Sequence, residues 1–205
     1  LENLVTLYPA VTDEELEAGY TDIGATFGDK HFYIAYPGLG AQLSAAGYTV
    51  HTFLDVYKDG TFLETVEGAT GVLPQYKPTE PGDYEIHCRA VVLDPDGETL
   101  QNFEHVYHID YLGKDLGLKF YVNDTLIDDE DIWLEFEKNE KYTMSVESAL
   151  TDREFKYALY TSSATTPVAT KNGASFTSSG SGVTYDYRFK VTDVATGYVE
   201  YTDWV

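Results

Sequence analysis

Cysteine is nearly absent. Cys88 is the single one in 205 residues, so no intrachain disulfide staples this chain. Cations are scarce: 13 Lys and Arg stand against 35 Asp and Glu, a net charge of −22. That balance excludes the basic footprint that nucleic-acid phosphates or an anionic membrane surface require. No apolar run approaches the roughly 20 residues of a membrane-spanning helix, so direct membrane insertion of this segment is not expected. The chemistry-bearing motifs G-x-S-x-G, C-x-x-C and H-E-x-x-H are missing, as is a phosphate-cradling glycine loop. No catalytic residue is assigned and no enzyme is expected. The chain begins at Leu1 with no visible signal peptide, lipid-attachment motif or anchor, as an excerpt or a mature product would.

What is abundant points to β-structure. Hydrophobic residues make up 43% and aromatics 15%, with 18 Tyr and 10 Phe, enough to fill cores and to favour strands. Tyr84 to Val92 alternates strictly, which places Tyr84, Ile86, Cys88, Ala90 and Val92 on one face. Cys88 therefore reads as a small buried hydrophobe. Thr49–Tyr57, Phe103–Tyr111, Lys141–Val146, Phe155–Tyr160 and Tyr185–Val191 read as further strands. Turn signals at Lys58-Asp59-Gly60, Pro81-Gly82-Asp83, Asp94-Pro95-Asp96-Gly97 and Ala195-Thr196-Gly197 punctuate them. A single short helix is predicted at Thr12–Ala18, capped by Thr12 or Asp13.

The sequence also repeats itself. Leu7-Tyr8 pairs with Phe120-Tyr121, Phe27–Tyr33 resembles Phe136–Tyr142, and His51–Tyr57 matches Glu154–Tyr160. Val92-Leu93-Asp94, with Gly97 behind it, matches Val191-Thr192-Asp193 and Gly197. Two units of about 100 residues follow one another, 1–113 and 114–205. The first carries 19 acidic and 4 basic side chains, the second 16 and 9.

Tyr76-Lys-Pro-Thr-Glu-Pro-Gly82-Asp-Tyr84, running on through Val91-Val-Leu-Asp94-Pro-Asp96-Gly97, resembles the pattern of PKD-type and bacterial Ig-like modules. Tyr185 to Gly197 resembles PKD-like modules of surface lipoproteins of gut Bacteroidetes. The resemblance implies an all-β chain of two tandem Ig-like (PKD-like) antiparallel β-sandwich domains, extracytoplasmic on a bacterial cell surface, non-enzymatic, and acting as spacer, scaffold or adhesion arm. The alternatives are a carbohydrate-binding accessory protein of a polysaccharide-utilisation system and a noncatalytic appendage of a secreted hydrolase. A Gly before an alternating Tyr strand suits a tight turn, and such a Tyr can bury its ring and tie its hydroxyl to the preceding loop.

Two candidate sites follow. No cofactor is assigned, but topology brings acidic residues toward the junction of the two units, where calcium could bind Asp110, Asp115, Glu80, Asp83, Asp152 and Asp193. Tyr57, Tyr107, Trp133 and Trp204 are candidate sugar-stacking rings, since planar aromatics pack on pyranose faces. The expected partner is a protein or a glycan at the cell surface. His51, His87 and either His105 or His108 could converge on one sheet face as metal ligands.

Overall fold

A computed structural model describes residues 5–36, 44–68, 72–128, 134–171 and 173–205. The chain folds as two compact units, Leu1–Lys114 and Asp115–Val205. It is all-β, with two Ig-like sandwiches in tandem.

Unit 1 runs β1 (Thr6–Tyr8), α1 (Asp13–Ala18), β2 (Tyr20–Thr26), β3 (Phe32–Ala35), β4 (Thr49–Lys58), β5 (Thr61–Glu67), β6 (Gln75–Tyr76), β7 (Gly82–Leu93) and β8 (Thr99–Tyr111). One sheet has the order β1-β3-β6 and the other β2-β8-β7-β4-β5. The sheets close on Phe32 and Ile34 from one side and Leu54, Val56, Ile86, Cys88 and Ile109 from the other, all fully buried. Each such aliphatic side chain contributes about 1.5–3 kcal/mol of burial. The alternation predicted for β7 holds throughout, since Tyr84, Ile86, Cys88, Ala90 and Val92 all face inward. Tyr84 donates its hydroxyl to the Glu80 carbonyl at 2.8 Å, the tie expected of a tyrosine corner. In the helix, Thr12 is the cap: its hydroxyl accepts the Glu15 N–H, and the Glu15 carboxylate takes the Thr12 N–H in return.

The edge strand β2 was not legible in the sequence. It pairs parallel with β8, Tyr20 against Val106 through Thr26 against Tyr111, with a bulge between Asp22 and Gly24. A parallel partner some eighty residues away leaves no local pattern to read. The β4–β5 hairpin is local and legible. Asp59 (φ 51°) and Gly60 (φ 74°) both take the left-handed region that a two-residue type I′ turn demands.

Unit 2 runs β9 (Lys119–Val122), β10 (Thr125–Ile127), β11 (Lys141–Glu147), β12 (Phe155–Thr161), β13 (Ala169–Lys171), β14 (Ser175–Ser179), β15 (Tyr187–Asp193) and β16 (Val199–Tyr201). Its sheets are β10-β9-β11-β14 and β13-β12-β15-β16. Phe189 of the second sheet sits 5.1 Å from Phe120 and 5.5 Å from Phe176 of the first, and this aromatic trio is the centre of the core.

The repeated Asp marks the same turn in both units. Asp94 Oδ1 accepts the Asp96 and Glu98 N–H groups at 3.0 and 2.9 Å. Asp193 Oδ2 accepts the Thr196 N–H at 2.9 Å and its hydroxyl at 2.5 Å. A short carboxylate that holds its own turn is the reason for Asp at the end of the seventh strand in one unit and its counterpart in the other.

Candidate functional site

Unit 2 carries the feature with the most binding chemistry. On the outward face of the β13-β12-β15-β16 sheet, Tyr160 lies opposite Arg188, Ala158 opposite Lys190 and Lys156 opposite Thr192. Lys190 in turn lies opposite Tyr201. These outward strand positions hold three cations and no carboxylate, on a chain whose net charge is −22. The C-terminal residues extend the sheet: Val205 exchanges both backbone hydrogen bonds with Tyr187, at 2.7 and 2.9 Å. That pairing sets Trp204 beside Arg188. The guanidinium carbon stands 4.3 Å from the Trp204 ring centre and 4.4 Å from that of Tyr201. Tyr160 meets Tyr201 edge-on at 6.3 Å. Tyr201 is 43% and Trp204 38% exposed, so the stack reaches solvent.

The chain has three arginines. Arg89 grips Asp55 at 2.6 Å and Arg153 grips Asp193 at 2.8 Å. Arg188 pairs with no carboxylate among the described residues, and its Nε is buried with no hydrogen-bond partner. Cation–π attraction to two rings, worth about 0.5–2 kcal/mol each, holds it in place.

Next to this face a cleft of about 540 Å³ opens at one end of the same sandwich. Phe136, Tyr142, Met144, Tyr185, Tyr187 and Trp204 shape it. Phe136 stacks on Tyr142 at 4.2 Å, and the Tyr142 and Tyr187 hydroxyls meet at 3.2 Å. Burial, with that hydroxyl contact, pushes the Tyr187 phenol up to about 12. Trp204 belongs to both the cleft and the Arg188 stack.

Of the four rings named from sequence, Trp204 is in this arrangement. Tyr57 is on unit 1, half-buried on its outward sheet face against Phe62 at 5.5 Å and His87 at 5.1 Å. Tyr107 is a correction: it is fully buried, because it shares its parity on β8 with Phe103, His105, Ile109 and Tyr111. Its hydroxyl donates to the Pro9 carbonyl. Trp133 lies outside the described residues. Sequence reasoning missed Arg188, Tyr160 and Tyr201. Their outward parity, shared with Lys156 and Lys190, was readable, but the register that aligns them was not.

The acidic candidates are distributed as follows. In unit 1, Asp83 lies opposite Asp110 in the β7–β8 register, and Glu80 takes Lys58 at 3.1 Å. In unit 2, Asp115 accepts the Gly117 N–H at 3.1 Å. Asp152 lines a small depression beside Arg153. Asp193 is fully buried, with both oxygens taken by Arg153 and Thr196. Among the described residues no group of three or more His, Cys, Asp and Glu side chains is placed to hold a metal ion.

His51, His87 and His108 share the outward face of β4, β7 and β8, each bonded to carboxylates. His108 stands between two carboxylates, Nδ1 at 2.9 Å from Asp22 and Nε2 at 2.6 Å from Asp83. Both nitrogens must donate there, and the Asp22 bond, joined by Asp83, raises its pKa. His87 meets Glu104 at 2.8 Å, and His51 meets Glu67 at 3.4 Å. His105 faces the other way, fully buried, its Nε2 at 3.0 Å from the Thr21 hydroxyl. Burial lowers its pKa, which favours the neutral ring.

No protein-family model matches the sequence, and no curated protein matches it. Among solved structures, the chain is similar to the fibronectin(III)-like modules of Clostridium thermocellum CbhA. They are 9% identical, covering 96% of this chain and 90% of that one, with a TM-score of 0.35. The FN1–FN3 domains of chicken CNTN1 are 8% identical over 89% of this chain and 63% of that one, with a TM-score of 0.32. The D00-D0 domain of Intimin is 12% identical over 98% of both chains, with a TM-score of 0.23. The Ig-like fold itself is read from strand order and register.

Proposed function

We propose that this chain is a pair of non-enzymatic Ig-like modules from a bacterial extracytoplasmic surface protein, serving as spacer, scaffold or adhesion arm. The observation that carries the reading is what the fold does with its reactive side chains. Asp193 is closed by Arg153 and Thr196, Asp55 by Arg89 and Thr65, and His108 by Asp22 and Asp83. A general acid, base or nucleophile needs a group that can reach a substrate, and these groups reach the fold's own turns and strands. Cys88 is buried in the core of unit 1, and burial pushes its thiol up, away from the thiolate a nucleophile requires.

A second reading, glycan binding, is favoured by one specific observation: the exposed rings of Tyr201 and Trp204 both border the Arg188 guanidinium, and Trp204 also lines the cleft. Planar rings and donors side by side are what a sugar face and its hydroxyls engage.

The non-enzymatic reading is tested by incubating the purified chain with chromogenic glycosides, esters and phosphoesters. No turnover above buffer is expected. Turnover that copurifies with the folded chain and is lost on changing a carboxylate or histidine of this chain would overturn it.

A further inference from the structure

We propose that the outward face of the β13-β12-β15-β16 sheet, centred on Arg188, binds an acidic saccharide through the carboxylate of a uronic-acid residue. The proposal deepens the glycan-binding reading above and rests on it.

The charge pattern comes first. With 35 carboxylates against 13 Lys and Arg, a cation on this chain has an acidic neighbour almost by default. Arg89 and Arg153 both follow that rule. Lys156, Arg188 and Lys190 share a face on which the strand positions offer no carboxylate at all. Asp186 and Asp203 flank it in the chain, but its paired strand positions carry positive charge only, and such a face on so acidic a surface is complementary to an anion.

The geometry narrows the anion. Trp204 and Tyr201 each hold the Arg188 guanidinium by a ring contact and its Nε is buried, so the donors left for a ligand are the two Nη groups at its outer edge. That edge presents a planar fork, which matches a carboxylate with two parallel N–H···O bonds. The flexible arm of the side chain is already immobilised by stacking, so little further entropy is lost on binding.

The rings narrow the carrier. An acidic peptide would need the cations alone. Tyr160, Tyr201 and Trp204 add apolar planes at the same spot, suited to the C–H face of a pyranose whose carboxylate lies on Arg188. Lys190, opposite Tyr201 in the register, stands one position along for the next charge of a repeating uronate. The cleft that shares Trp204 would take an adjoining sugar of the same chain.

The test uses the full chain and titration calorimetry against oligogalacturonate, alginate oligomers and hyaluronan oligomers. The controls are neutral galacto-oligosaccharide, methyl-esterified oligogalacturonate and poly-glutamate. At least one uronate oligomer is expected to bind, and its neutral or esterified counterpart about tenfold more weakly or worse. Arg188→Gln should lose about tenfold or more, with the melting temperature recorded alongside. Arg188→Lys keeps the charge and the fold but loses the fork, and should also weaken uronate binding. Neutral and acidic sugars bound equally would overturn this proposal and leave the glycan reading standing. No binding of any saccharide at millimolar concentration would overturn both. Poly-glutamate bound as well as the best uronate would assign the face to acidic peptides and overturn the proposal.

Discussion

Replacing Arg153 with methionine should cost unit 2 about 3–5 kcal/mol, because it strands a carboxylate that has no exposure of its own. Asp193 is fully buried at the end of β15, and Arg153 meets it with two parallel bonds, Nε to Oδ1 and Nη2 to Oδ2, each 2.8 Å. Arg153, assisted by Thr196, holds the Asp193 carboxyl down to about 2. A carboxylate with a folded pKa depressed from an ordinary value near 3.9 stabilises the fold above that value. The contribution fades as the pH falls from about 4 toward 2, and is worth roughly 2–3 kcal/mol when fully present. Urea unfolding at pH 7 and pH 3 therefore tests the pair twice. At pH 7 the methionine variant should show the full deficit. At pH 3 the deficit should shrink, since Asp193 of the variant takes up a proton that the parent still excludes. The double variant Arg153→Met, Asp193→Asn should recover part of the loss, because the amide keeps acceptors for Thr196 without a buried charge. A deficit that does not change with pH would mean that Arg153 acts by packing alone.

The second large effect is at Gly180, where an alanine should destabilise unit 2 by more than about 3 kcal/mol. A Cβ there would stand 2.1 Å from the Glu137 carbonyl oxygen and 3.1 Å from that of Phe136. Neither oxygen can retreat cheaply. The Gly180 N–H donates to Glu140 and its carbonyl accepts from Asn139, both at 2.8 Å, so the two segments are locked at contact distance. Gly182 is the control. It has φ +73° but nothing within 4 Å of an added Cβ, so alanine there meets only the left-handed backbone penalty of about 1–2 kcal/mol. Thermal melts of the two variants should differ by several degrees, with Gly180→Ala the lower. Equal melting temperatures would contradict the close approach.

Much of the scaffold was legible because its signals are local. The inward set on β7, the Thr12 cap and the Asp59-Gly60 turn each follow from neighbours in the chain. The repeated Asp94 and Asp193 were legible as a motif, and the structure explains them as turn clamps. Tyr107 was misplaced although the pattern was there: Glu104, His108 and Asp110 mark the outward parity of β8, and Tyr107 falls on the other. Tyrosine's polar hydroxyl invites an exposed reading, yet the ring is buried once that hydroxyl has the Pro9 carbonyl. What no local pattern could supply was the pairing of distant strands. The burial of His105 depends on Thr21, and the isolation of Arg188 depends on which residues β12 and β16 set beside it.

The central claim is that each Ig-like unit holds a complete sandwich within its own residues, built around Leu54, Ile86 and Ile109 in one and Phe120, Phe176 and Phe189 in the other. The most direct measurement is to produce residues 1–114 and 115–205 separately and follow near-ultraviolet circular dichroism through urea unfolding. A cooperative transition and an ordered aromatic signal are expected from each piece. A piece that gives neither, while the full chain gives both, would contradict it.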